Sequence, residues 1–334
     1  MPNLTLEALK ALAVKVLVNS QTSQANANMV ADALVAADAD GLSSHGVSRL
    51  PAYADQAKSG KVDGFAVPDV VLTSAAAVRV DARSGFAFPA VAQGLTEAAA
   101  LVKQTGIVGV GIGRSHHMGA AGYHVERMAQ QGLIALGMTN SPAAIAPWGG
   151  QQRLFGTNPI AFACPRVAAP PLVIDLSLSK AARGKVKLAA DQQQSIPEGW
   201  AVDTDGQPTT DAQAALDGSM LPMGDAKGAA LVLLVEILSA TLTGSNYGYE
   251  AGSFFTGSGT APNIGHFFIL IDPQRFALQN FSQRFELLLA AIEAQQGTRL
   301  PGERRLRLRR QAEQDGVFIP DSLYANLQQR AAAG

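Results

Sequence analysis

The chain has 334 residues, 47% of them hydrophobic, enough apolar surface for one large or two modest cores. Lys plus Arg number 26 against 27 Asp plus Glu, so no global field exists to hold nucleic acid or an anionic membrane. The lone Cys164 excludes an internal disulfide, and the N-terminal residues lack a basic stretch followed by a long apolar run; together these read as a cytoplasmic protein.

Leu6, Leu9, Ala13, Val16 and Leu17 recur at helical spacing, and after a break at 20–23 so do Met29, Val30, Ala33, Leu34 and Ala37. Ser23 is expected to cap the second helix and Gly41 to stop it, which places the segment 40–49 just past a helix end. From Pro68 the pattern changes to short β-branched runs, Val70 to Leu72 and Val78 to Val80. A small-residue helix follows within 85–106, then a strand at 107–112, a helix at 122–131 and a strand at 133–138. This alternation predicts an α/β body. The apolar stretch 228–244 is interrupted by Glu236 and is shorter than the roughly 20 residues that span a bilayer, so it is expected to be a buried helix. A late strand is expected at 269–271, and 281–294 and 304–315 return to helical patterning, with the two helical ends packing together.

Three of the five histidines, His45, His116 and His117, lie beside glycine-rich turns, where backbone approaches ligands closely; His124 and His266 read as structural. Reduction of a 2-oxo acid needs a cation for the carboxylate, a proton donor for the oxygen and a fixed hydride face. Arg49 offers paired donors that match a carboxylate, and His45, with an unperturbed pKa of about 6.5, exchanges protons near neutrality. If a helix opens after Gly46, these two share a face, and the Ser44 hydroxyl can orient the imidazole or relay its proton.

A strand-linked G-x-G-x-x-G is absent, because Arg114 stands where Gly109, Gly111 and Gly113 would need another glycine. His117, Met118, Gly119, Ala120 and Ala121 instead run into a helix whose free amides suit a phosphate. Lys227, at the start of an apolar helix, can reach a phosphate or ribose. Arg304 and Arg305 can meet a 2′-phosphate, which tilts the cofactor towards NADP over NAD, while Arg307, Arg309 and Arg310 read as a solvated helix face. A zinc hydrolase built on His45, His116 and His117 lacks the accompanying carboxylate spacing, so no metal is expected.

Taken together, Asp40-Gly41 with Ser44-His45-Gly46 and Arg49, Ser115-His116-His117, Ala146 to Gly150, Phe155 to Ile160, Asp175-Leu176-Ser177, Ala182 to Lys185, Lys227-Gly228 and Leu300 to Glu303 resemble the type-2 malate/L-lactate dehydrogenase family. That family includes sulfolactate and ureidoglycolate dehydrogenases and the cyclic ketimine reductases. The resemblance implies an NAD(P)-dependent homodimer with an α/β, non-Rossmann cofactor fold: a largely antiparallel central sheet in 71–274 and a helical domain formed by 1–70 with 275–334. It further implies that Ser44 and His45 relay the proton and that Arg49 and Thr157 bind the substrate carboxylate. His116 would face the substrate, and 117–121, Asp175, Ser177, Ser179, Lys227, Arg304 and Arg305 would hold the cofactor. Two positions depart from the ketimine reductases and other members: Lys185 stands where the former carry an acid completing the relay, and Ala226 where many members have His. Ser177 to Lys180 together with Ala226 are most similar to the bacterial sulfolactate dehydrogenase branch, and Lys185 favours a hydroxy acid over an imine.

Overall fold

The computed structural model describes residues 3–333. After the short strand β1 (Asn3–Leu4), helix α1 (Leu6–Val18) starts at Thr5, whose hydroxyl accepts from the Ala8 amide. Helix α2 (Gln24–Ala39) starts as expected at Ser23, whose hydroxyl accepts from Asn26. It ends before Gly41, which takes a left-handed φ of +73° with Leu308 packed where a Cβ would go. The chain does not then open into one helix. Gly46 is extended (ψ −152°) and divides the segment into two 3₁₀ turns, Ser43–His45 and Val47–Arg49, before α3 (Leu50–Lys58).

The body follows as β2 (Asp69–Ser74), β3 (Ala77–Asp81), α4 (Ala87–Thr105), β4 (Ile107–Ser115), α5 (Ala121–Ala129), β5 (Ile134–Thr139), β6 (Ile160–Cys164) and β7 (Leu172–Leu176). An excursion then carries α6 (Arg183–Asp191), β8 (Ala201–Val202), β9 (Pro208–Thr209), α7 (Ala212–Asp217), β10 (Ser219–Met220) and α8 (Asp225–Glu236), the last continued by a π turn, Ile237–Thr241. Strand β11 (Ile264–Ile271) returns to the main sheet, and α9 (Phe281–Glu293), α10 (Glu303–Asp315), β12 (Val317–Phe318) and α11 (Asp321–Ala332) close the chain.

The central sheet has seven strands in the order β2-β3-β4-β11-β5-β6-β7, and only the β3–β4 pair is parallel. The largely antiparallel α/β sheet implied by the family resemblance is therefore the observed one. Strand β11 inserts between β4 and β5, which separates the two neighbours that a simple βαβ repeat would pair. Three apolar cores support this frame. One lies between the sheet and helices α4 and α5, built from residues such as Val110, Leu95, Val125 and Phe268. A second joins both chain ends: Leu9, Leu34 and Tyr53 pack with Ile319 and Leu327, and β1 pairs with β12. The third, around Ile145, Leu178, Val186 and Val232, holds the excursion together.

Helix α8 departs from the expectation of a buried helix. Val232 and Val235 face the third core, but Leu231, Leu233, Leu234, Ile237 and Leu242 are exposed. A segment apolar all round looks the same in sequence whether its outer face meets its own chain or another molecule.

Candidate functional site

A cleft of about 1250 Å³ opens where the first two cores and the excursion meet, bordered by the 40–49 turns, the 117–121 loop, the end of β7, the start of α6 and the 299–305 segment. It exceeds the roughly 300–1,000 Å³ of an ordinary small-ligand pocket, so a large ligand and a small one fit together. At one end lie His45 and Arg49. The turn that presents them is pinned from below by Asp38 of α2, whose Oδ2 accepts from the Val47 amide at 2.7 Å. That approach requires glycine at 46, since a Cβ there would lie 2.0 Å from Asp38 Oδ1. Burial raises the Asp38 pKa to about 7, against the weaker opposing pull of the Val47 amide.

Ser44 Oγ lies 3.0 Å from His45 Nδ1, which fixes the ring and leaves Nε2 without a protein hydrogen bond among the described residues. Burial, and then the neighbouring Arg49 charge, lower the His45 pKa to about 4, so the imidazole is neutral at pH 7. Arg49 donates through Nε to the Ser44 carbonyl at 2.7 Å and lies over the Phe255 ring at 4.7 Å. Its Nη1 is buried and has no hydrogen-bond partner among the described residues. A guanidinium anchored by one nitrogen and orphaned at another is prepared for an anion. Thr157 lines the same cleft, held by its amide to Ser141 Oγ and by its carbonyl to the Leu178 amide.

The two adjacent histidines point differently. His117 lines the cleft, 5.5 Å from the His45 ring between centroids, and its Nδ1 is 2.6 Å from the buried Tyr53 hydroxyl. His116 turns inward, its Nε2 2.7 Å from Gln56 Oε1 and its ring packed against Tyr53, Phe86 and Phe254. It is 1% exposed and does not line the cleft, and burial lowers its pKa to about 3. His124 and His266 are buried structural residues, bonded to the Met118 carbonyl and to Thr139 and Ser115 respectively.

At the far end Gly119, Ala120, Ala121, Asp175, Ser177, Arg304 and Arg305 line the cleft. Asp175 already uses one amide of the α5 N-terminus, accepting from Gly122 at 2.7 Å, and burial raises its pKa. The amides of Ala120 and Ala121 carry no protein hydrogen bond among the described residues. Arg305 has Nε and Nη2 buried without hydrogen bonds among the described residues, but ion-paired to Asp40 and Glu126 at 3.4 and 3.5 Å. Arg309 is not part of a solvated face: its guanidinium binds both Asp40 and Glu126, each through two hydrogen bonds. Three of the residues expected to hold the cofactor lie outside the lining. Met118 is in the first core, Ser179 is buried on the Ala181 carbonyl and Ser177 Oγ, and Lys227 is exposed at the start of α8, whose Asp225 pairs with Lys180.

Sequence reasoning missed Asp38, Tyr53, Arg153 and Arg183. Tyr53 stands four residues after Arg49, a spacing that could have suggested it. Asp38 carries no such signal, and the two arginines meet only through the fold.

The sequence pattern described as malate/L-lactate dehydrogenase matches residues 4–328. The chain is 49% identical over 330 residues to a (2R)-3-sulfolactate dehydrogenase (NADP(+)) of Chromohalobacter salexigens, covering 99% of this chain and 98% of that one. It is 42% identical over 300 residues to a Δ1-pyrroline-2-carboxylate/Δ1-piperideine-2-carboxylate reductase of Pseudomonas putida, covering 90% and 88%. Among solved structures, Δ1-piperideine-2-carboxylate reductase from Pseudomonas syringae pv. tomato superposes with a TM-score of 0.93 at 40% identity, over 99% of this chain and 100% of that one. Sulfolactate dehydrogenase from Methanocaldococcus jannaschii gives 0.91 at 32% identity, over 99% and 97%.

Proposed function

Because the chain belongs to the malate/L-lactate dehydrogenase family, we propose that it moves a hydride between NAD(P)H and C2 of a small 2-oxo or 2-hydroxy carboxylic acid of the sulfolactate, malate or lactate type. The observation that carries this reading is the pairing of a neutral, Ser44-oriented His45 with an Arg49 whose Nη1 is buried and unpaired in the same cleft. Arg49, with Thr157 of the same cleft, holds the carboxylate and so fixes C2 and its oxygen against Nε2 of His45. In the oxidative direction the neutral imidazole accepts the hydroxyl proton; in reduction the protonated ring returns it. Ser44 keeps Nδ1 occupied, so the proton moves at Nε2.

The residues present fit a dinucleotide. Small residues at 119–122 and the unpaired amides of Ala120 and Ala121 suit a diphosphate against the start of α5, with Arg305, ion-paired to Asp40 and Glu126, in the wall behind them. When bound, the nicotinamide supplies or accepts the hydride. We favour NADP, because Arg304 lines both the cleft and an adjoining groove of about 530 Å³ shared with Arg299, Arg307 and Arg310. This basic surface suits a 2′-phosphate.

Reduction of cyclic ketimines is the second reading, favoured by the similarity to the Pseudomonas reductases. Against it, Lys185 occupies the position next to Gly184, whose Cβ site lies 3.4 Å from Ser44 Cβ. That places a cation where the resemblance expects an acid for the relay. NADPH consumption with pyruvate, oxaloacetate, sulfopyruvate and piperideine-2-carboxylate, run side by side, separates the two; a preference for the imine would replace the first reading. We also propose a cytoplasmic homodimer that covers the exposed Leu234 and Ile237 face of α8. Ile237→Asp should then halve the mass seen by light scattering, and a wild type that already runs as a monomer would refute it. No helix among the described residues is long and apolar enough to cross a membrane.

A further inference from the structure

Two guanidiniums of the cleft have no part in the chemistry above. Arg153 and Arg183, the first residue of α6, both line it and both donate to one carbonyl, that of Leu216, at 2.6 and 3.2 Å. A single neutral acceptor fixes where two cations point without neutralising either. Among the described residues no carboxylate lies within ion-pair distance of them, and Asp217 acts on Arg183 only through space. Burial, reinforced by the Arg153 charge, lowers the Arg183 pKa. Among the described residues Nη1 of Arg183 is buried without a hydrogen-bond partner, as is Nη1 of Arg49. Such an arrangement is unfavourable in the free protein and is relieved when an anion is shared between the two side chains.

The position of the pair indicates which anion. Gly184, adjacent to Arg183, packs against Ser44, which places Arg183 at the His45 end of the cleft. We propose that Arg153 and Arg183 form a second anion subsite that binds the distal acidic group of the substrate, a carboxylate or sulfonate on C3, while Arg49 holds the carboxylate on C1. The substrate is then a dianionic 2-oxo or 2-hydroxy acid. This rests on the activity proposed above and narrows it.

The test compares kcat/KM for oxaloacetate and sulfopyruvate with that for pyruvate, which carries one anion, in wild type, Arg183→Gln and Arg183→Lys. The ratio of dianion to pyruvate should fall about 10- to 100-fold in Arg183→Gln and recover in part in Arg183→Lys, with Arg153→Gln as a second variant if the first fails to fold. A fall confined to sulfopyruvate identifies a sulfonate, and one confined to oxaloacetate a carboxylate. An equal loss for all three acids, or an unchanged ratio with a raised KM for NADPH, overturns the proposal; the latter would assign the pair to a cofactor phosphate. If wild type reduces none of the three, the activity reading fails, and the subsite is then read by melting temperature. Malonate and sulfoacetate should stabilise wild type more than acetate does, and Arg183→Gln should lose that difference. No difference in wild type overturns the subsite itself.

Discussion

The two ends of the cleft treat arginine in opposite ways. At the His45 end Arg49, Arg153 and Arg183 are anchored by backbone carbonyls and keep their charge unspent. At the far end Arg309 is held by both Asp40 and Glu126, and the same two carboxylates flank Arg305. The contrast separates two jobs that residue type alone does not distinguish. A buried guanidinium without an acid is prepared for a ligand, whereas one shared between two acids ties α10 to α2 and α5 and sets the wall against which a ligand can lie. Removing one member of a buried paired set strands the others, which is costly, while removing an unpaired cation relieves repulsion and costs the fold little.

The largest effect that would break this comparison is on turnover. His45→Ala should lower kcat by about 10²- to 10⁴-fold with nucleotide affinity retained, as followed by Trp fluorescence; unchanged kcat would remove His45 from the chemistry. The next is a pH effect. Because the His45 pKa is lowered to about 4, the neutral base needed for oxidation is fully present above that pH, and kcat/KM for oxidation should hold level from pH 5 to 8 and fall below 4. In reduction the imidazolium thins about tenfold per pH unit above 4, so kcat/KM for reduction should decline as pH rises. Arg49→Gln removes the second cause of the lowering and should move the midpoint upward; a midpoint that stays put would mean Arg49 does not act on the ring. The smallest effect concerns Asp38. Its carboxyl binds a proton more tightly folded than unfolded, so its contribution to stability is lost as pH rises from about 4 to about 7. Asp38→Asn keeps an acceptor for the Val47 amide and should melt several degrees (~5 °C) higher than wild type at pH 8 and at the same temperature at pH 4. Equal melting at both values would mean the carboxyl is not perturbed.

Much of this was legible in the sequence where the cause is local. Ser23 and Gly41 begin and end α2 through their own side-chain and backbone chemistry, and 44–49 set a histidine and an arginine close together in sequence, which the fold brings to one cleft. What was hidden depends on distance along the chain. Arg309 reads as surface because Asp40 lies 269 residues away and Glu126 lies 183 away. Arg153 and Arg183 converge only through Leu216, at the end of a different helix. Strand β11 enters the middle of the sheet from late in the chain, so alternation of helix and strand revealed the classes of element but not their order. The resemblance to a known family supplied the largely antiparallel character of the sheet, and only the fold supplies the order.

The most direct test of the contrast between the two ends is to measure melting temperature and KM for the 2-oxo acid on Arg49→Ala and Arg309→Ala together. Arg49→Ala should raise KM by about 10- to 100-fold with little change in melting. Arg309→Ala, which leaves Asp40 and Glu126 buried with only their longer contacts to Arg305, should lose about 3–5 kcal/mol of stability, seen as a lower melting temperature. A stable Arg309→Ala with raised KM, or an Arg49→Ala that melts early with KM unchanged, would contradict the account.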